Sequence, residues 1–225
     1  MLARTLLAVS LAAAIASSAF AAGDALTCIP DSLDSVVGAS PRVAAPDAPF
    51  TRAEASVPAN KRTTRGLYLT AQDAFDMVNE NPAAVLFVDV RTRGELQFIG
   101  MPTLVDAHVP FLVETNPPVW DTAASSFKLA PNPDFLATVD KRRAEKGLTR
   151  DATVIVICQG GTRAGRAVNA LTEAGYAKVY TVVDGFEGDP VAEGPHKGER
   201  LVNGWRNAGL PWTTRLDRGK MYGLD

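Results

Sequence analysis

The run Thr153-Val154-Ile155-Val156-Ile157 passes without interruption into Cys158-Gln159-Gly160-Gly161-Thr162-Arg163. The run is short, apolar and largely β-branched, which reads as a buried strand. Beyond the loop, Ala164, Ala167, Val168, Leu171 and Ala174 recur at helical spacing up to Gly175, which reads as the helix stop. The order is therefore strand, tight loop, helix. Such a loop turns several backbone N–H groups inward, and the helix start adds partial positive charge there. The first loop residue is a thiol, and these donors, with Arg163 and Arg166, are expected to hold it as the thiolate. The competing reading is a cysteine packed as a small hydrophobe. Two glycines and an arginine directly after it favour chemistry, because packing alone needs none of them.

The rest of the chain supplies a sheet around this junction. Leu67-Tyr68-Leu69 is a short strand candidate, followed by Thr70 as an N-cap with Asp73 three residues on. Ala71, Ala74, Phe75 and Val78 then mark one helix face, ending before Asn81-Pro82. Val85-Leu86-Phe87-Val88 is continuously apolar, as a strand covered on both faces requires, and ends in Asp89-Val90-Arg91. Ala107 to Phe111 is a third strand candidate, and 116–133 reads as an irregular excursion. Asn132-Pro133 is expected to open a helix through Phe135, Leu136 and Val139 that stops near Gly147. Lys178 to Val183 forms a final strand, closed by Asp184-Gly185-Phe186-Glu187-Gly188, and a short helix is expected over Val202–Ala208. Alternating strands and helices define an α/β fold, a mostly parallel central sheet with helices on both faces. Sites in such sheets form at the carboxyl edge of the strands.

Two features outside this core bear on its setting. Arg4, the apolar run Thr5–Ile15 and Ala19-Phe20-Ala21 fit a secretory signal peptide at 1–21, cut after Ala21. The mature chain is then exported, and periplasmic if the source is a Gram-negative bacterium. Residues 22–65, with scattered prolines, read as an arm or linker, 66–190 as the domain, and 191–225 as a tail packing on it. The apolar leader is shorter than the about 20 residues of a membrane span, and no later segment is long enough. In an oxidising compartment the two cysteines raise a Cys28–Cys158 disulfide as an alternative, which would block the loop. A net charge of −2 gives no electrostatic footprint for nucleic acid.

Asp89-Val90-Arg91, Cys158 through Arg163 and Asp184-Gly185-Phe186, each after a strand and in this order, resemble the rhodanese domain of sulfurtransferases. The similarity covers about Leu67 to Glu187. The resemblance implies a rhodanese-like three-layer fold and a Cys158 that accepts a sulfane sulfur from an anion such as thiosulfate. As a persulfide it passes the sulfur to cyanide, a thiol or a protein acceptor. By matching positions, Cys158 is the nucleophile, while Gln159, Gly160, Gly161, Thr162 and Arg163 cradle the persulfide and donor. Asp89, Arg91 and Arg166 support the loop. No cofactor or metal is implied; His108 and His196 are the only histidines, and His108 reads as a strand-edge hydrogen-bonding residue.

The chain departs from the family pattern at Gln159, where arginine is frequent, and in the stretch Gly100 to Pro110. Related phosphatase loops place five residues between cysteine and arginine, whereas four lie between Cys158 and Arg163. That shorter loop suits a sulfur atom better than a tetrahedral phosphate. A rival of another class is a non-turnover binding or sulfur-carrier module that docks to an exported partner. Phe186, Trp205 and Trp212 would be its surface; their alternative role is to close the sheet.

Overall fold

The computed structural model describes residues 56–224. In chain order the elements are β1 (Tyr68–Leu69), α1 (Ala71–Glu80), β2 (Val85–Asp89), α2 (Arg93–Ile99), β3 (Met101–Pro102), β4 (Ala107–His108) and β5 (Leu112–Glu114). They continue with β6 (Trp120–Asp121), β7 (Ser126–Phe127), β8 (Leu129–Pro131), α3 (Phe135–Glu145), β9 (Thr153–Ile157), α4 (Thr162–Glu173), β10 (Lys178–Val182) and β11 (Trp212–Thr213). The main sheet has five strands in the order β1-β10-β9-β2-β4, and all its pairs are parallel.

The apolar runs in β2 and β9 take the centre of the sheet because both of their faces are covered. Side chains alternate across a strand, so Phe87, Ile155 and Ile157 enter one core with α1, Leu96 of α2, Phe186 and Trp205. Leu86, Val88, Val154 and Val156 enter the other with Phe135 and Val139 of α3 and the apolar face of α4. Cys158 belongs to this second layer. Fully burying one such aliphatic or aromatic side chain contributes about 1.5–3 kcal/mol. These two cores therefore dominate what holds the loop in place.

The helices start as their sequences direct. Thr70 Oγ1 accepts the Asp73 amide at 3.1 Å and Asp73 accepts the Thr70 amide at 3.0 Å, closing the expected capping box. Helix α3 begins later than expected, at Phe135 rather than after Asn132. Asn132 instead binds the Asp134 amide at 3.0 Å and donates to the Pro110 carbonyl at 2.8 Å, tying the helix entrance to the sheet edge.

Three other expectations change. The excursion is not irregular throughout: β5 pairs with β8 and β6 with β7, both antiparallel. The strand expected over Ala107–Phe111 is ordered as a strand over Ala107–His108 alone. The helix expected over Val202–Ala208 is a turn whose Trp205 and Arg206 amides bond the carbonyls of Gly185 and Phe186, so tertiary partners take the donors a helix would use.

Trp205 is fully buried against Phe87, with ring centroids 5.5 Å apart, while Trp212 at 41% exposure pairs its strand with β3. The signal peptide, Cys28 and the arm through residue 55 lie outside the described residues. From Ser56 on, the chain already packs on the domain: Val57 and Lys61 are buried. Among the described residues no helix is long and apolar enough to cross a membrane.

Candidate active site

Cys158 follows the last residue of β9, at the carboxyl edge of the sheet. Its Sγ accepts the backbone N–H of Gly161 at 3.2 Å and of Ala164 at 3.3 Å. Gly161 is the N-cap of α4 and makes no side-chain capping bond. Its φ of 93° lies in the left-handed region, and a Cβ there would stand 2.2 Å from the Val183 carbonyl oxygen. Glycine is thus required for the loop to bend its amides onto the sulfur. Cys158 has no disulfide partner among the described residues and is only 1% exposed. Together with Gln159, Gly160, Thr162 and Arg163 it lines a pocket of about 220 Å³.

Asp89, level with Ile157 in the sheet, and Arg91 adjoin this loop. They form a fully buried ion pair at 2.7 Å, and Arg91 also donates to the Gly100 carbonyl at 2.7 Å. The Arg91 guanidinium stacks on Phe186 at 4.2 Å, and the Phe186 amide donates to the Cys158 carbonyl at 2.8 Å. His108 sits on the edge strand, with Nε2 donating to the Arg91 carbonyl at 2.8 Å. Burial pushes the imidazole down and the Asp89 carboxylate pulls it partly back, leaving it below the ordinary histidine value.

Of the nine residues named from sequence, Cys158 and Gln159 through Arg163 converge on the loop, and Asp89 and Arg91 lie under it. Arg166 does not join them. It is exposed, with its guanidinium over the Phe111 ring at 5.7 Å. Arg163 is engaged by Glu95, whose two carboxylate oxygens accept Nη1 and Nη2, the former at 2.7 Å. Burial raises the Glu95 carboxyl, but the hydrogen bonds and charge of Arg163 and the Thr92 amide outweigh it and hold the group below the usual carboxylate value.

Sequence reasoning missed four contributors. Glu95 had a visible signal, since Thr92-x-x-Glu95 is a capping box of the kind recognised at Thr70. Lys61, Asp189 and Arg200 had none. Lys61 Nζ donates to the Val183 carbonyl at 2.9 Å and to Asp189 Oδ1 at 2.5 Å, across more than 120 positions of sequence. Arg200 Nη1 donates to the Gly188 carbonyl. All three residues line the pocket. Among the described residues no cluster of three or more His, Cys, Asp and Glu is placed to hold a metal ion.

The site thus brings together a thiol, two amides that bond it and three cationic side chains at the end of a parallel strand. Residues 70–188 match the family described as the Rhodanese-like domain, and the chain belongs to it. It is 32% identical over 142 residues to an uncharacterized protein of Rickettsia conorii, covering 62% of this chain and 90% of that one. An uncharacterized protein of Rickettsia prowazekii is 29% identical over the same length. Among solved structures, one from M. tuberculosis is 32% identical, covers 66% of this chain and 97% of its own, and superposes with a TM-score of 0.49. A polysulfide-sulfur transferase homodimer from Wolinella succinogenes is 23% identical, with a TM-score of 0.38, covering 71% of this chain and 85% of that one.

Proposed function

We propose that the chain is an exported sulfurtransferase that carries a sulfane sulfur on Cys158. The observation that carries this reading is the pair of amides, Gly161 and Ala164, aimed at Sγ in the wall of a cationic pocket. The Cys158 thiolate attacks the outer sulfur of a donor such as thiosulfate. A bond forms between Sγ and that sulfur, the donor's own S–S bond breaks, and sulfite leaves with the electron pair. The persulfide anion is held by the loop donors, which favour negative charge there. Cyanide or an acceptor thiolate then attacks the outer sulfur and returns the electron pair to Sγ. Membership of the rhodanese-like family supports sulfur transfer as the general activity.

A thiosulfate-to-cyanide assay on the mature chain tests the reading. Thiocyanate production should be measurable and should fall to background in Cys158→Ser.

A second reading is a non-turnover module that binds or carries sulfur for a partner. It draws on the 1% exposure of Cys158 and on the engagement of Arg163 by Glu95. No turnover with several donors and acceptors would select it.

A further inference from the structure

Three cations line the pocket beside Cys158, and two of them are already matched by a carboxylate. Lys61 sits 2.5 Å from Asp189, and Arg163 grips Glu95. Arg200 donates to a neutral acceptor, the Gly188 carbonyl, and among the described residues no carboxylate lies within ion-pair distance of it. Of the three, Arg200 is the one whose charge no carboxylate contacts directly among the described residues.

The backbone around Arg200 is fixed. Pro190 and Arg200 form a β-bridge, and Asn207 Nδ2 donates to the Arg200 carbonyl at 3.0 Å. The side chain is held over the sulfur loop itself, since a Cβ on Gly160 would come within 2.8 Å of Arg200 Nη1. Gly160 is adjacent to Gly161, whose amide binds Sγ. A guanidinium offers five donors in a planar fork suited to paired oxygens, and the Gly188 carbonyl occupies only part of that capacity.

We propose that Arg200 binds the oxyanion end of the sulfur donor and selects small donors whose sulfane sulfur is attached to an oxygen-bearing anion. The residue lies beyond the family match at 70–188, so this chain's tail, and not the shared domain, sets the preference. The proposal rests on the sulfurtransferase reading for its chemistry; the binding it requires does not depend on turnover.

The test uses the mature chain carrying Cys158→Ser, with thiosulfate as the probe and calorimetry as the readout. Adding Arg200→Gln should weaken thiosulfate binding about tenfold or more, as expected for a lost hydrogen bond to a charged group. Arg200→Lys, which keeps the charge but not the planar fork, should weaken binding by less than Arg200→Gln does, and it covers the case in which the glutamine variant does not fold. With Cys158 present, Arg200→Gln should raise the KM for thiosulfate while kcat stays within about twofold. Transfer from an organic hydropersulfide, whose outer sulfur passes to Sγ as a thiolate leaves and which bears no oxyanion, should fall by less than transfer from thiosulfate. Equal thiosulfate affinity with and without Arg200→Gln, absence of thiosulfate binding to the Cys158→Ser chain, or an equal loss with the hydropersulfide overturns the proposal. If the Cys158 chain turns over no donor and Arg200 still governs thiosulfate binding, the transfer reading fails and the Arg200 assignment stands.

Discussion

Two helices start beside the candidate site, and they satisfy their first amides in opposite ways. At α2, Thr92 Oγ1 accepts the Glu95 amide at 3.3 Å, and the Glu95 carboxylate accepts the Thr92 amide at 2.9 Å. At α4 the cap is Gly161, which offers no side chain, and the amides of Gly161 and Ala164 turn to Cys158 Sγ. Every helix start presents the same unpaired donors. A hydroxyl and a carboxylate placed there make a structural cap, whereas glycine placed there, with a thiol at the preceding strand end, leaves the donors to bond a sulfur. Glu95 links the two arrangements, because the carboxylate that caps α2 also grips Arg163 of α4.

The comparison breaks first at Gly161. Gly161→Ala places a Cβ 2.2 Å from a backbone oxygen at a φ of 93°, so the loop cannot keep its shape. A stability loss of about 3 kcal/mol or more is expected, with sulfur transfer reduced alongside it. A denaturation midpoint equal to that of the unaltered chain would show that the amides are not held by this conformation.

Glu95→Gln sharpens the link between the helices. Losing one partner of a partly buried charged hydrogen bond should cost about 2 kcal/mol, measured by denaturant unfolding. The pH dependence has a definite sign. The folded Glu95 carboxyl lies below its ordinary value of 4.5, so its contribution is present above about pH 4.5 and disappears as pH falls through the folded value. In Glu95→Gln that share of the acid-induced loss should vanish, and an unchanged stability profile between pH 3 and 5 would contradict the assignment.

The smallest effect is expected at α1, whose strand β1 is separated from β9 by β10. Thr70→Ala removes one half of an exposed capping box and should cost about 1 kcal/mol. Sulfur transfer in this variant should match the unaltered chain. A change in activity there would mean that the α1 cap, too, bears on the site.

The parts legible in the sequence are those decided by neighbours in the chain. The apolar runs of β2, β9 and β10, the Thr70 box and the Cys158–Arg163 loop carry their signals within a few residues. Helix α2 is only seven residues long, too short for a periodic face, so its capping box was the one available clue. Arg166 was grouped with Arg163 by sequence proximity, and its place over Phe111 is decided by packing across elements. Trp205 lies in a turn and not in a helix because Gly185 and Phe186 supply its backbone contacts. Lys61 and Arg200 reach the pocket from opposite ends of the chain, a relation that no local pattern records.

Asp189 is gripped from both of these ends: by Lys61, and by Asn203, whose Oδ1 accepts the Asp189 amide at 2.7 Å. The rim around the thiol is therefore complete only when positions 61, 189 and 203 are present in one folded chain. Variation in the terminal segments can accordingly retune what the thiol meets while the sheet beneath it stays as it is.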